Sequence, residues 1–261
     1  LPPTATTIAT KMAAISHTDI SIILSQTRGF EKAFSLSYLR YNAVFLDSVS
    51  VLRVYYRQNH TTEVHPMEKP RIGCVVMAAG SASRFGTNKL AAQIDGKTLL
   101  CRALEAVPPA CFAQVVVVTQ HPEAAEAARR FSFTPVENQH PDWGISHTIS
   151  LGLDALQDCD AALFLVSDQP LLRQTSVAEL VDLYRRHPSH IVALGHNGIR
   201  GNPCLFPARF FPELRALRED HGGSTVIRRH EDALLLYDVP ARQLADVDTR
   251  AALDALIARE R

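Results

Sequence analysis

A short apolar run that stops abruptly in a loop of small residues constrains this chain more than any other feature. Ile72-Gly73-Cys74-Val75-Val76-Met77 leads into Ala78-Ala79-Gly80-Ser81-Ala82-Ser83-Arg84, and Lys89 follows five residues later. An apolar run with β-branched residues and no polar alternation suits a parallel strand covered on both faces. Residues 78–83 carry almost no side-chain bulk, so backbone N–H groups can close around an anion as a nest. Arg84 and Lys89 add a forked donor and a point charge for the same oxyanion. The stretch therefore reads as a phosphate loop. It is not a dinucleotide fingerprint, because the Gly-x-Gly-x-x-Gly spacing is missing. Nor is it a P-loop, since Lys89 lacks the preceding Gly-x-x-x-x-Gly and the following Ser or Thr. Taken alone, the residues also leave open a plain turn with a surface Arg and Lys.

Downstream, strand and helix patterns alternate. Residues 98–107 place Leu99, Leu100, Ala103, Leu104 and Val107 at helical spacing and are stopped by Pro108-Pro109. A second apolar strand is predicted over 115–119, a helix opened by Pro122 runs to Phe131, and 134–137 form a short strand. Residues 161–166 make the strongest strand. A helix over 175–187, a strand at 190–194, a turn at His196-Asn197-Gly198, an apolar strand and a helix over 209–217 follow. A terminal helix carries Ala251, Leu253, Leu256 and Ile257. This rhythm predicts an α/β fold, one Rossmann-like domain whose mostly parallel sheet is flanked by helices, with ligands at the carboxyl ends of the strands.

Residues 1–66 differ from the rest. They are rich in Ser and Thr, poor in acids, hold Gly29 as their one glycine, and open on Leu1-Pro2-Pro3. Met67 opens the compact pattern, and 67–261 has the size of an ordinary single domain. The extension 1–66 is expected to be poorly ordered or non-native, with a transit peptide as the other reading. Lys plus Arg equals Asp plus Glu at 27 each, so no global field draws in nucleic acid or an anionic membrane. The five cysteines form no Cys-x-x-Cys pair, which points to a reducing, cytoplasmic setting. No apolar run approaches the roughly 20 residues that span a bilayer. The histidines lack metal-site spacing, and no nucleophile elbow supports hydrolase chemistry.

Three further places can carry chemistry. In residues 138–153, Ser146 is expected to cap a helix, whose start can also seat a phosphate; Trp143 either stacks on a ring or packs. Asp168, delivered by the strand 161–166, suits Mg²⁺ between phosphates, and Pro170 turns the chain away; a helix cap is the alternative. Asp246 and Asp248 alternate onto the same side of an expected strand end before the terminal helix, where Asp248 and Thr249 are otherwise capping residues.

Ala78-Ala79-Gly80-Ser81-x-Ser83-Arg84-Phe85-Gly86-x-x-Lys89 resembles the signature of the nucleotidyltransferases that complete molybdenum cofactor, within the sugar-nucleotide pyrophosphorylase-like superfamily. It is most similar to the molybdenum cofactor cytidylyltransferase branch. The guanylyltransferase branch has two glycines where this chain has Ala79-Gly80, so the resemblance leans towards a pyrimidine base. Gly144, Ser146 and Gly152 resemble the family's Gly-Met-Ser segment, with Ile145 for Met and His147-Thr148 for Ser-Ser. Asp168-Gln169-Pro170 resembles its Asp-x-Pro metal motif. Gly201-Asn202-Pro203 resembles its Gly-His-Pro element, with Asn202 for His, and Gly222-Gly223 follow in the family's order.

Over residues 71–256 this resemblance implies catalytic roles for Arg84 and Lys89. It implies substrate binding by Ala78, Ala79, Gly80, Ser81, Ser83, Gly144, Ser146, Gly201, Asn202, Gly222 and Gly223. Mg²⁺ or Mn²⁺ is then held by Asp168 and Asp248, with Asp246 in support. The implied partners are CTP and Mo-molybdopterin, and a recipient molybdoenzyme of the xanthine dehydrogenase type or its chaperone is compatible; nucleic acid and membrane are not expected. The implied reaction transfers CMP from CTP to the terminal phosphate of Mo-molybdopterin. The alternatives are a guanylyltransferase, a sugar-1-phosphate nucleotidyltransferase, and a non-catalytic pterin carrier or insertion chaperone.

Overall fold

Strand β1 (Ile72–Ala78) lies inside a seven-stranded sheet in the computed structural model, which describes residues 69–80 and 89–260. The extension 1–66 and the loop residues Ser81, Ser83 and Arg84 lie outside the described residues. All described elements belong to the unit Glu68–Arg261.

After the loop come a small hairpin, β2 (Gln93–Ile94) and β3 (Lys97–Thr98), then α1 (Leu99–Glu105), β4 (Gln114–Thr119), α2 (Pro122–Arg130) and β5 (Thr134–Glu137). The chain continues through α3 (Ile145–Ala155), β6 (Ala161–Val166), α4 (Gln174–Arg186), β7 (Ile191–His196) and β8 (Ile199–Pro207). Helices α5 (Phe211–Arg215) and α6 (Gly223–Arg229), strand β9 (Leu234–Asp238) and helix α7 (Arg250–Glu260) complete it. Local chemistry sets the boundaries. Thr98 caps α1 by accepting from the Cys101 N–H at 3.1 Å, and Pro122 stands at the first turn of α2, where its missing N–H costs nothing. Asn197 and Gly198 both take positive φ, 50° and 78°, which gives the tight turn joining β7 to β8.

The strand order is β5-β4-β1-β6-β8-β7-β9. Neighbouring strands pair in parallel except at β8, which runs antiparallel to β6 and β7. Side chains alternate across the sheet. Cys74, Val76, Val117, Leu163 and Leu165 share one face with residues of α1, α2 and α4. Val75, Val116, Val118, Ala162 and Phe164 share the other with residues of α3, α5 and α6. A third, smaller core joins Ile94 and Leu99 to Val247 and Leu253.

This topology places a crevice. From β1 the chain builds outward through β4 and β5, then returns to set β6 on the opposite side of β1. Ligands of open α/β sheets bind outside the carboxyl ends of the strands at such a reversal. The small-residue loop leaves β1 there, and Ser167-Asp168 leaves β6 beside it. No described helix is long and apolar enough to cross a membrane, and all five cysteines are free.

Candidate active site

At the end of β1, Ala78 and Ala79 are buried and Gly80 is exposed. The loop is tied down from both neighbouring strands. Gln120, just past β4, donates its Nε2 to the Ala79 carbonyl at 2.9 Å, and Ser167, just past β6, donates its Oγ to the Met77 carbonyl at 2.9 Å. A Cβ at Gly80 would meet no described atom within 4 Å. Packing among the described residues therefore does not account for glycine at this position.

Lys89 opens a 3-10 turn, Lys89–Ala91, whose next residue, Leu90, is buried in the core. Its Nζ lies 2.9 Å from Asp168 Oδ2 and 3.1 Å from Asp248 Oδ1. Three residues spread over 160 positions thus meet at one nitrogen. Lys89 is not the surface lysine of the plain-turn reading, because its side chain is 15% exposed. Burial pulls its pKa down, but attraction and hydrogen bonding to Asp168, then Asp248, outweigh that and leave it raised. The side chain is held as an ammonium.

The acids are positioned by neighbours that carry no charge. Val247, fully buried in the small core, donates its N–H to the Asp168 carbonyl at 2.9 Å. The turn bearing Asp248 is thereby pinned to the turn bearing Asp168. Gln169, 2% exposed, adds a second tie, its Nε2 donating to Leu244 O at 3.2 Å and to Asp246 Oδ1 at 2.9 Å. Burial and the nearby Asp168 push the Asp246 pKa up. Neither Asp168 nor Asp248 is a helix cap: Arg173 precedes α4, and Thr249 Oγ1 accepts from the Ala252 N–H at the start of α7. Residues 246–248 are not a strand end as expected; they follow a 3-10 turn, Ala241–Leu244. Val247 nevertheless points into the core between two outward acids, as alternation requires.

A divalent ion fits this donor set. Asp168 Oδ1 is buried with no hydrogen-bond partner, an uncompensated acceptor beside an oxygen that already holds a cation. Two carboxylates offer the hard oxygens that Mg²⁺ and Mn²⁺ prefer, with phosphates and water completing the shell. No cluster of three or more His, Cys, Asp and Glu suited to a metal occurs among the described residues.

The other predicted residues fall into two further places. Gly144 and Ser146 meet residues 219–223 beyond β5. Gly144, not Ser146, precedes α3, with φ 84°, and a Cβ there would collide with the Glu219 carbonyl. Ser146 sits inside the first turn, buried, with its N–H given to the Glu219 carbonyl at 3.1 Å. The cap expectation fails because the close backbone crossing demands a glycine one turn edge earlier. That N–H is also withdrawn from any phosphate. A Cβ added at Gly223 would come within 2.9 Å of the Phe206 ring, so glycine there serves the close packing of α6, whereas one at Gly222 would make only ordinary contact with Ile145. A Cβ added at Gly201 would come within 3.0 Å of the Leu244 side chain, and Asn202 Oδ1 accepts from Cys204 Sγ at 3.7 Å. Trp143 stacks on His140 at 4.2 Å while staying 54% exposed.

The family of the MobA-like NTP transferase domain matches residues 74–234, well over half the chain and spanning the loop, Lys89 and Asp168. The chain belongs to this family. A MobA-like member is a nucleotidyltransferase, and the crevice between β1 and β6 is where this one brings cation and acids together. Among curated relatives, the purine catabolism protein PucB of Bacillus subtilis is 25% identical over 72% of this chain and 97% of its own length. Solved structures share the fold. A nucleotidyl transferase from Methanothermobacter (Mth528) matches 73% of this chain and 99% of its own, with TM-score 0.62 and 21% identity. Rv0371c of Mycobacterium tuberculosis H37Rv, in complex with manganese, matches 72% of this chain and 98% of its own, with TM-score 0.56 and 22% identity.

Proposed function

We propose that this nucleotidyltransferase moves CMP from CTP to the terminal phosphate of molybdopterin carrying molybdenum. A phosphate oxygen of the pterin forms a bond to the α-phosphorus of CTP as the bond to the β-phosphate breaks, and pyrophosphate leaves. The attacking oxygen is already ionised, so no general base is needed. The observation that carries the reading is the convergence of Lys89, Asp168 and Asp248 beside the small-residue loop. An ammonium and two acids at that point suit a triphosphate and its counter-ion, and a carrier that leaves phosphates intact would not need both acids.

The chain's own residues do most of the work by positioning. Backbone N–H groups of residues 78–80 cradle the phosphates, and the ties from Gln120 to Ala79 and from Ser167 to Met77 hold that stretch in place. Arg84 and Lys89 neutralise charge on the leaving pyrophosphate. Asp168 and Asp248 would hold Mg²⁺ or Mn²⁺, which supplies charge neutralisation between phosphates; the manganese complex of Rv0371c supports the choice of a divalent ion.

Two features support cytosine and pterin. Ala79 takes the place of a glycine of the guanylyl branch. The relative PucB is named for purine catabolism, and xanthine, the substrate of the proposed recipient type, is a purine. The test is pyrophosphate release from each of the four NTPs with Mo-molybdopterin and Mg²⁺, CTP being the expected substrate. Release from GTP instead overturns the base, and release with a sugar 1-phosphate but not the pterin overturns the acceptor. Tight pterin binding without turnover of any NTP restores the carrier reading.

A further inference from the structure

We infer that Lys89 is the resident cation of the metal site, bound where a divalent ion belongs until metal and nucleotide arrive together. This rests on the proposed assignment of Asp168 and Asp248 as the metal's carboxylates.

One nitrogen contacts Asp168 Oδ2 at 2.9 Å and Asp248 Oδ1 at 3.1 Å, so it spans the two carboxylates in the way a shared metal must. An ion held between the same two acids competes with the ammonium for Asp168 Oδ2 and Asp248 Oδ1, and two cations drawn to one pair of carboxylates repel each other. Each therefore weakens the binding of the other. Nor is the lysine a full replacement, since Asp168 Oδ1 stays buried and unpartnered beside it. A single charge on a flexible stem satisfies the pair partly, whereas a divalent ion satisfies both acids more completely.

A consequence follows for binding order. Metal alone must displace an ammonium that then has to find another partner, so its apparent affinity falls by the fraction of molecules in which Lys89 has left. Nucleotide triphosphate provides that partner. Displaced Lys89 can reach the phosphates, and metal and nucleotide assist each other through one side chain. Linkage makes this assistance reciprocal. The small-residue loop and Lys89 enter from β1 while the acids come from β6 and the turn before α7, so the exchange needs movement of one side chain and no rearrangement of the sheet.

The experiment uses the full 261-residue chain and counts bound Mn²⁺ from the free-ion paramagnetic resonance signal, with and without CTP. Without nucleotide, Lys89→Met should bind Mn²⁺ about tenfold more tightly than the wild type, and CTP should tighten it further by much less than in the wild type. Lys89→Arg, which keeps a cation, should stay weak. Asp168→Asn should lose the site in either background. If Asp168→Asn loses Mn²⁺ but Lys89→Met binds it no better than the wild type, the exchange is overturned and the metal site stands. If Asp168→Asn and Asp248→Asn both bind like the wild type, the metal assignment itself falls. A second measurement needs no variant. Saturating Mg²⁺ should raise acetylation of Lys89 by acetic anhydride, read by mass spectrometry against Lys97, and unchanged labelling overturns the exchange.

Discussion

Lys89 carries one charge toward two carboxylates, and that count decides what its loss does to stability. In Lys89→Ala, Asp168 keeps its unpartnered Oδ1 and loses the partner of Oδ2, which leaves a largely buried carboxylate without compensation. Losing hydrogen bonds to charged groups of this kind costs about 1–3 kcal/mol, and urea unfolding without added metal should show it. The pH dependence has a definite sign. A lysine with a raised pKa stabilises the fold fully below its unfolded value, about 10.4, and that contribution is lost as pH rises through the folded value. The gap between wild type and Lys89→Ala should therefore be flat from neutral pH to about 9 and close only above about 10.5. A gap of zero at neutral pH removes the pair from the stability account. Lys89 and Asp168 are legible in the sequence through the loop signature and the Asp-x-Pro after an apolar strand, and Asp248 through its alternation with Asp246 before the terminal helix. Gln169 is not: a glutamine in a turn reads as solvent-facing, and only the fold shows it buried between Leu244 and Asp246. Gln120 had a faint signal, a polar residue directly after a buried strand at the carboxyl edge.

Helix α3 lies closer to the sheet than side chains usually permit, and two glycines make this possible. A Cβ at Gly152 would collide with Val75 of β1, and one at Gly73 would run into Leu156 just past the helix. Gly152→Ala improves helix propensity by about 0.5–1 kcal/mol, yet overpacking against a buried strand costs about 1–3 kcal/mol. The clash should win, lowering the urea midpoint and displacing the strand that carries the phosphate loop. Because the penalty comes from one contact, Val75→Ala/Gly152→Ala should be more stable than the two single losses added together. Strict additivity sinks this account of the close approach. Helix and strand types were largely readable, since the long elements are periodic or strongly apolar. The hairpin of β2 and β3 was not anticipated: two-residue strands show no period, although Asp95-Gly96, both at positive φ, is a strong turn signal. Strand β9 also escaped, because Leu234-Leu235-Leu236-Tyr237 suits a buried helix as well as a strand. The expected helix over 209–217 divides into a 3-10 turn, Ala208–Phe210, and the short α5, with Pro212 in its first turn.

For the whole molecule, alternating strands and helices predicted a mostly parallel sheet but not the order of its strands, which depends on crossovers that leave no local trace. One part of the order was implicit. The Asn197-Gly198 turn can join only antiparallel neighbours, so β8 had to run against β7 once that turn was recognised. The sheet also bears on where the domain begins. Arg71 is fastened to the loop before β6 in both directions, its N–H to Asp160 Oδ2 at 2.8 Å and its carbonyl to the Asp160 N–H at 2.8 Å. Both cores flanking the sheet include β1, which starts one residue later. A domain with its own core and an anchored first strand folds without what precedes it. A chain beginning at Met67 should therefore keep the urea midpoint of the full chain within error. It should also keep the same pyrophosphate release, since Lys89, Asp168, Asp248 and the ties that hold them all lie beyond that point. Lost solubility or a midpoint lowered by more than about 1 kcal/mol would instead mean that residues 1–66 pack on this domain. An unchanged midpoint with lost turnover would place a substrate contact in them.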